Sequence, residues 1–256
     1  MDIILDLDGV IWLAEEPIAG SADAVGRLRA ARHRLLFLTN NSNPTVKDLV
    51  EKLGSMGIEA EGDEIVNSSR AAASLLEPET TALVFGGPGV VEALEERGVK
   101  PVFEGDADAV VVGFTREFDF ERLTLAMRAV MAGARLIGTN HDPTYPTPDG
   151  PVPGGGSLIA AVATAAGVDA VVAGKPNEAM QNLVKKHWGD DLSDAVLVGD
   201  RPSTDGVMAR RLGMRFALML SGVSSEEADP EDVDADAIAP DLGSFVGEQG
   251  ELQELA

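Results

Sequence analysis

Four aspartates give the first indication of chemistry. Asp6 and Asp8 close an apolar run, Ile3–Leu7, that ends in the turn Asp8-Gly9. Asp200 closes another apolar run, and Asp205 follows at the start of the next helical pattern. Any one of them alone reads as a turn or cap residue. Together, as Asp-x-Asp-Gly after one strand and Gly-Asp after another, they read as a site, because an open parallel sheet binds ligands outside the carboxyl ends of its strands. Carboxylates gathered there repel one another unless a cation sits among them, and all-oxygen ligation suits a hard ion such as Mg²⁺. Two further strand ends add donors. Thr39-Asn40-Asn41 brings a hydroxyl and backbone N–H groups to the same rim, and Gly174-Lys175-Pro176 brings one ammonium. Such donors suit the peripheral oxygens of a phosphoryl group. Taken singly, Thr39 reads as a capping residue and Lys175 as a surface lysine.

The elements that must position these residues alternate between strand and helix almost throughout. Leu35–Leu38 is a second buried strand. Helices are expected after Ser21 as N-cap, with Val25, Leu28 and Ala31 on one face, and after Asn43-Pro44, with Leu49, Val50, Leu53 and Met56 as the stripe and Gly57 as the stop. Another block begins near Pro78, with strands Ala82–Phe85, Ala109–Gly113 and Leu136–Gly138 and helices Val90–Arg97 and Phe120–Ala132. A turn-rich stretch, Thr139 to Gly156, precedes helix Ser157–Ala166; loops of that length in compact domains are usually functional or disordered. Strand Ala170–Ala173, helix Glu178–Trp188, strand Ala195–Val198, helix Thr204–Leu212 and strand Phe216–Met219 follow. The acidic run Ser224 to Asp236 reads as a solvated loop before a final strand and short helix. Buried strands alternating with amphipathic helices predict an α/β fold with parallel sheet covered on both faces.

Composition narrows the function classes. The chain has 256 residues, 43 Asp and Glu against 20 Lys and Arg, a formal charge of −23 and no Cys. With 45% hydrophobic residues it holds enough apolar material for a full core. The absence of Cys excludes disulfides, thiolate metal sites and cysteine nucleophiles. So negative a surface disfavours nucleic acid and anionic membrane as partners, and it obliges any phosphate site to carry its own local cation. Only six of the basic residues are Lys, and acids are spread along the chain, a pattern like that of proteins from salt-accumulating organisms. No basic leader precedes the first strand, where Asp6 and Asp8 interrupt any signal core, and the apolar stretch Leu158–Ala173 is interrupted by Thr164, Gly167 and Asp169. A cytoplasmic protein is the expectation.

Asp6-Leu7-Asp8-Gly9-Val10, Thr39-Asn40-Asn41, Gly174-Lys175-Pro176 and Val198-Gly199-Asp200-Arg201 followed by Thr204-Asp205 together resemble the motifs of the haloacid dehalogenase (HAD) superfamily phosphatases. The resemblance is to the NagD-like and nitrophenylphosphatase-like subgroup, whose large C2-type α/β cap lies between the second and third motifs. It extends to Thr139-Asn140-His141-Asp142-Pro143-Thr144-Tyr145-Pro146. It implies a Rossmann-like core over 1–77 and 174–256, with an inserted cap over 78–173. It further implies a Mg²⁺-dependent phosphomonoesterase acting on a small phosphorylated metabolite. Asp6 would be the nucleophile that forms an aspartyl-phosphate, and Asp8 the acid and then the base. Asp6, Asp200, Asp205 and the main-chain carbonyl of Asp8 would serve the metal. Thr39, Lys175 and the N–H groups of Asn40 and Asp8 would hold the phosphoryl group. Asn140, His141, Asp142 and Tyr145 would face the leaving group from the cap loop. Relatives form cap-mediated dimers, which leaves a homodimer open.

Two other classes share part of this pattern. A phosphoacceptor signalling switch also uses Asp, Mg²⁺, Thr and Lys at sheet ends, but it has no large insert and its acidic pair is usually contiguous. A binding module that has lost turnover is disfavoured, because every motif position is filled. Gly154-Gly155-Gly156 reads either as an anion-binding helix start or as a flexible turn, the turn being preferred. Trp12 and Trp188 read as packing residues, with Trp12 open to a second reading as lining of the site entrance.

Overall fold

The computed structural model describes residues 1–145, 150–222 and 233–253. The chain falls into two compact units. One comprises Met1–Thr39, Leu49–Val66 and Gln181–Ala256; the other comprises Asn40–Asp48 and Asn67–Met180.

The first unit is built on a six-stranded sheet. Its strand order is Ala237–Ala239, Arg215–Met219, Val196–Gly199, Asp2–Asp6, Arg34–Thr39 and Ile65–Asn67. The pairs around the first strand are parallel, with Ile3 opposite Val196 on one side and Leu35 on the other. The chain therefore leaves Asp2–Asp6 toward one neighbour and later returns to the other. Such a reversal is where an open parallel sheet binds ligands, and Asp6, Thr39 and Asp200 stand at the carboxyl ends of the strands that flank it. Ile3, Ile4 and Leu5 are fully buried, as continuous apolar strands covered on both faces require. Trp12–Leu13 and Glu16–Pro17 add a small antiparallel hairpin just past the first strand.

The second unit carries its own parallel sheet, ordered Val171–Val172, Arg135–Gly138, Ala109–Val112, Thr81–Phe85 and Lys100–Val102. Helices Phe120–Met131 and Gly155–Ala166 close its core, which joins Phe85, Val110, Val112, Ala126, Val130, Leu136, Ile159 and Val162. Asp119 caps the first of these helices, its carboxylate accepting from the Arg122 N–H at 2.8 Å. No described helix is long and apolar enough to cross a membrane.

Several local expectations are corrected. Ser21 is the first residue of its helix rather than the N-cap. Gly20 takes that position, and the Ser21 hydroxyl donates instead to the carbonyls of Ile18 and Ile11. Helix Val46–Ser55 starts later than Asn43-Pro44 suggests. Thr45 and Asp48 bond to each other's backbone N–H at 3.0 and 2.9 Å, a reciprocal cap that sets the boundary. The stretch expected as helix from Thr204 opens with a π-turn, Pro202–Gly206, and is α-helical only over Val207–Leu212. The long loop holds a short hairpin, Thr144–Tyr145 with Val152–Pro153, while residues 146–149 lie outside the described set. Residues 223–232, most of the acidic run, also lie outside it; the strand Ala237–Ala239 and the short helix Leu242–Phe245 follow as expected.

Candidate active site

The first unit brings three of the four aspartates together. Asp6, Asp200 and Asp205 each offer a carboxylate oxygen, and these oxygens all lie within 4.8 Å of one another. Their residues are only 6%, 4% and 0% exposed. Three like charges this close and this dry repel strongly unless a cation compensates them. Oxygens bound to one hard divalent ion at about 2.0–2.6 Å also lie within about 5 Å of one another, so the spacing fits such an ion. The donor set is all carboxylate, which matches Mg²⁺ or Ca²⁺ rather than a thiophilic metal.

Local sequence explains how the carboxylates reach this arrangement. Asp6 is the last residue of its strand, and its Oδ1 accepts from the Leu7 N–H at 2.8 Å, which fixes the carboxylate's rotation. Asp205 sits in the π-turn, its N–H bonded to the Arg201 carbonyl and its Oδ2 accepting from the Arg201 N–H. Glycines clear the surrounding space. A Cβ on Gly9 would lie 2.4 Å from Asp200 Oδ2, and one on Gly199 would lie 2.4 Å from Asp205 Cγ. Gly9 also has φ +88, a left-handed conformation that favours glycine.

The Asp8 carboxylate stands outside the three-aspartate cluster. Its Oδ1 accepts from the Trp12 indole N–H at 3.0 Å, and Thr39 Oγ1 lies 3.4 Å from its Oδ2. Asp6 and Asp8 thus have different surroundings, one among acidic groups and the other among neutral donors. Acid–base chemistry on a pair of carboxylates needs that asymmetry.

Lys175, Asn40 and Asn140 meet within the second unit. Asn40 clasps the lysine backbone from both sides: its Oδ1 accepts from Lys175 N–H at 2.8 Å, and its Nδ2 donates to the Lys175 carbonyl at 3.3 Å. Asn140 Nδ2 and Ser68 Oγ donate to the Asn40 carbonyl at 2.8 and 2.6 Å. Lys175 is 2% exposed. Gly174 permits the close approach, since a Cβ there would lie 2.5 Å from the Thr139 carbonyl oxygen and 2.6 Å from Asn40 Oδ1.

The remaining loop residues are placed differently. Asn140 is buried, and its Oδ1 accepts from the Asp142 N–H, so both ends of its amide are engaged within the protein. His141 is exposed, Asp142 is half-buried, and Tyr145 stacks on Phe114 with ring centroids 4.9 Å apart. Phe114 carried no sequence signal; it lies outside every motif. The Gly154-Gly155-Gly156 run proves to be a packing device. Cβ atoms on Gly154 and Gly156 would come within 2.4 Å of the Asp142 and His141 carbonyl oxygens respectively, so the glycines let the loop cross the helix start.

Residues 3–100 match the family model described as haloacid dehalogenase-like hydrolase, and residues 172–245 match a HAD-hydrolase-like model. The chain belongs to the haloacid dehalogenase-like hydrolases, in their NagD-like phosphatase branch. It is 33% identical to the 5'-nucleotidase YutF of Bacillus subtilis, over 90% of this chain and 91% of that one. A p-nitrophenyl phosphatase from Archaeoglobus fulgidus superposes with a TM-score of 0.87 at 31% identity, over 95% and 97% of the two chains. The chain is also 34% identical to the D-glycerol 3-phosphate phosphatase of Mycobacterium tuberculosis, covering 87% of itself and 64% of that longer protein. The glycerol phosphate phosphatase from that organism, solved in complex with magnesium, superposes with a TM-score of 0.83 at 32% identity, over 94% and 74% of the chains.

Proposed function

We propose that this protein is a Mg²⁺-dependent phosphomonoesterase acting on a small phosphorylated metabolite through an aspartyl-phosphate. The observation that carries the reading is the buried triad Asp6, Asp200 and Asp205 beside an Asp8 held by neutral donors. Relatives named for glycerol phosphate, a nucleotide and nitrophenyl phosphate support a small organic phosphate as substrate.

Asp6, Asp200 and Asp205, with the main-chain carbonyl of Asp8, would hold Mg²⁺, which when bound offsets the repulsion between Asp6 and a phosphate dianion. In the first step an Asp6 carboxylate oxygen attacks phosphorus. The bond from phosphorus to the ester oxygen breaks, its electron pair stays on that oxygen, and Asp8 supplies the proton that completes the alcohol. In the second step water attacks the aspartyl-phosphate and gives its proton to Asp8. The phosphorus–Asp6 bond breaks, phosphate departs, and both carboxyl groups regain their starting states. Thr39, Lys175 and the N–H of Asn40 are the proposed holders of the phosphoryl oxygens, since phosphoryl transfer depends mainly on positioning and charge. The segment 78–173 is the proposed cap, with His141, Asp142 and Tyr145 selecting the leaving group and Asn140 anchoring their loop.

Release of inorganic phosphate from 4-nitrophenyl phosphate, with and without Mg²⁺, tests the reading. Activity should need the ion and should vanish in Asp6→Asn. Undiminished turnover by Asp6→Asn would reject the nucleophile, and turnover that ignores chelation would reject the metal site.

A further inference from the structure

Trp12 is 2% exposed, which packing alone would explain, yet its one polar atom is spent on Asp8. The turn that follows the first strand brings it there. The N–H groups of Val10, Ile11 and Trp12 all donate to the Leu7 carbonyl, and the Gly9 N–H returns to the Trp12 carbonyl at 2.7 Å. Ser221 Oγ pins the Gly9 carbonyl at 2.7 Å, and Ser21 Oγ pins that of Ile11 at 3.0 Å. These bonds fix the main chain that carries the indole, and the ring itself is buried against Asp8.

The outer face of the ring is held as well. Lys52, from helix Val46–Ser55, places its ammonium 4.5 Å from the Trp12 ring centroid, a cation–π distance. The same ammonium donates to the Ala14 carbonyl at 2.8 Å and pairs with Glu15 at 3.4 Å. Ala14 has φ 53 at the tip of the hairpin, so Lys52 also secures the one residue there in a left-handed conformation. Glu15, Lys52, Trp12 and Asp8 thus form a continuous chain of contacts from the surface to the proposed acid.

We propose that Trp12 is a positioning residue for Asp8 and that Lys52 holds it in place; the inference rests on the phosphatase reading above. An indole N–H donates and never accepts. Asp8 Oδ1 is therefore occupied as an acceptor, which leaves Oδ2, the oxygen at the longer 3.4 Å distance from Thr39, as the one that faces the proton exchange. One oxygen is kept for the ester in the first step and for water in the second. The carboxyl need not rotate between them.

A pair of substrates of nearly equal shape reads this role directly. The nitro group lets 4-nitrophenolate depart with little help from an acid, whereas phenyl phosphate needs the proton. In Trp12→Phe the ring and the Lys52 contact remain and only the N–H is lost. The expected result is a kcat/KM for phenyl phosphate that falls at least fivefold more than that for 4-nitrophenyl phosphate, general-acid help being worth about 10²–10⁴ in rate. Equal losses on both esters would assign Trp12 to packing alone and overturn the inference, as would no loss on either. Should Trp12→Phe fail to fold, Lys52→Met keeps the aliphatic stem and should skew the two esters in the same direction by about twofold. A parallel change there overturns the inference too. A wild-type protein that hydrolyses neither ester in Mg²⁺ would instead sink the phosphatase reading itself.

Discussion

Replacing Gly9 by Ala tests whether the turn after the first strand exists to seat Asp200. Two costs arise, and a second glycine separates them. Gly9 has φ +88 and Gly57 has φ +84, so alanine at either meets a similar left-handed penalty of about 1–2 kcal/mol, partly offset by the lost freedom of the unfolded glycine. A Cβ on Gly57 meets nothing within 4 Å, whereas one on Gly9 falls 2.4, 2.5 and 3.0 Å from three atoms of the buried Asp200 side chain. Ordinary contact begins nearer 3.4 Å, so Asp200 or the turn must move by close to 1 Å, an overpacking cost of about 1–3 kcal/mol. Urea unfolding of the two variants should therefore differ by about 1–3 kcal/mol, with Gly9→Ala the weaker. The rise in melting temperature with added Mg²⁺ supplies the second reading. It should persist in Gly57→Ala and need about 10- to 100-fold more ion in Gly9→Ala, the usual scale when a support of a metal ligand is disturbed. Equal destabilisation of the two variants, with equal Mg²⁺ dependence, would refute the reasoning.

Two further outcomes follow from charge. Glu64 is disfavoured as an anion by its partial burial, but its two bonds from Arg29 at 2.8 Å and one from the Glu61 N–H outweigh that, leaving its pKa below the ordinary value of 4.5. A depressed carboxylate stabilises above its unfolded pKa and loses that stabilisation as pH falls through the folded one. Glu64→Gln should therefore cost about 1 kcal/mol at pH 7, with the gap to wild type closing below about pH 4; a gap constant from pH 7 to pH 3 would contradict it. The formal charge of −23 predicts self-repulsion that salt relieves, because the Debye length shrinks from about 10 Å at 0.1 M to about 3 Å at 1 M. Melting temperature should climb from 0.1 M to 1 M KCl, and a flat profile would remove repulsion as a determinant of stability.

The parts of the fold legible in the sequence were those with strong local signals. Ile3–Leu5 and Leu35–Leu38 are unbroken apolar runs buried on both faces, and the polar residues that follow them mark the rim of the sheet. Helix Ser68–Ser74 left no signal, since its buried face is made of Ser and Ala rather than large apolar residues. Strands Ile65–Asn67 and Lys100–Val102 have three residues each, too few for a period to show, and Pro101 lies within the second. At the candidate site, Asp6, Asp200 and Asp205 were legible because Asp6 closes one strand, Asp200 directly follows another and Asp205 opens the helical pattern after it. The roles of Trp12 and Asn140 were not, because an indole or an amide looks like packing or loop until its hydrogen bonds are seen.

The triple glycine at the start of helix Gly155–Ala166 bears on how the loop proposed to select the leaving group could be re-engineered. Because the main chain of His141 to Thr144 passes across those glycines without room for a methyl group, its route is determined by what lies beneath it. A library built on His141, Asp142 and Tyr145 would vary only the chemical groups displayed, on a track whose course stays the same. Any side chain at Gly154 or Gly156 would collide with the Asp142 or His141 carbonyl and force the track itself to shift.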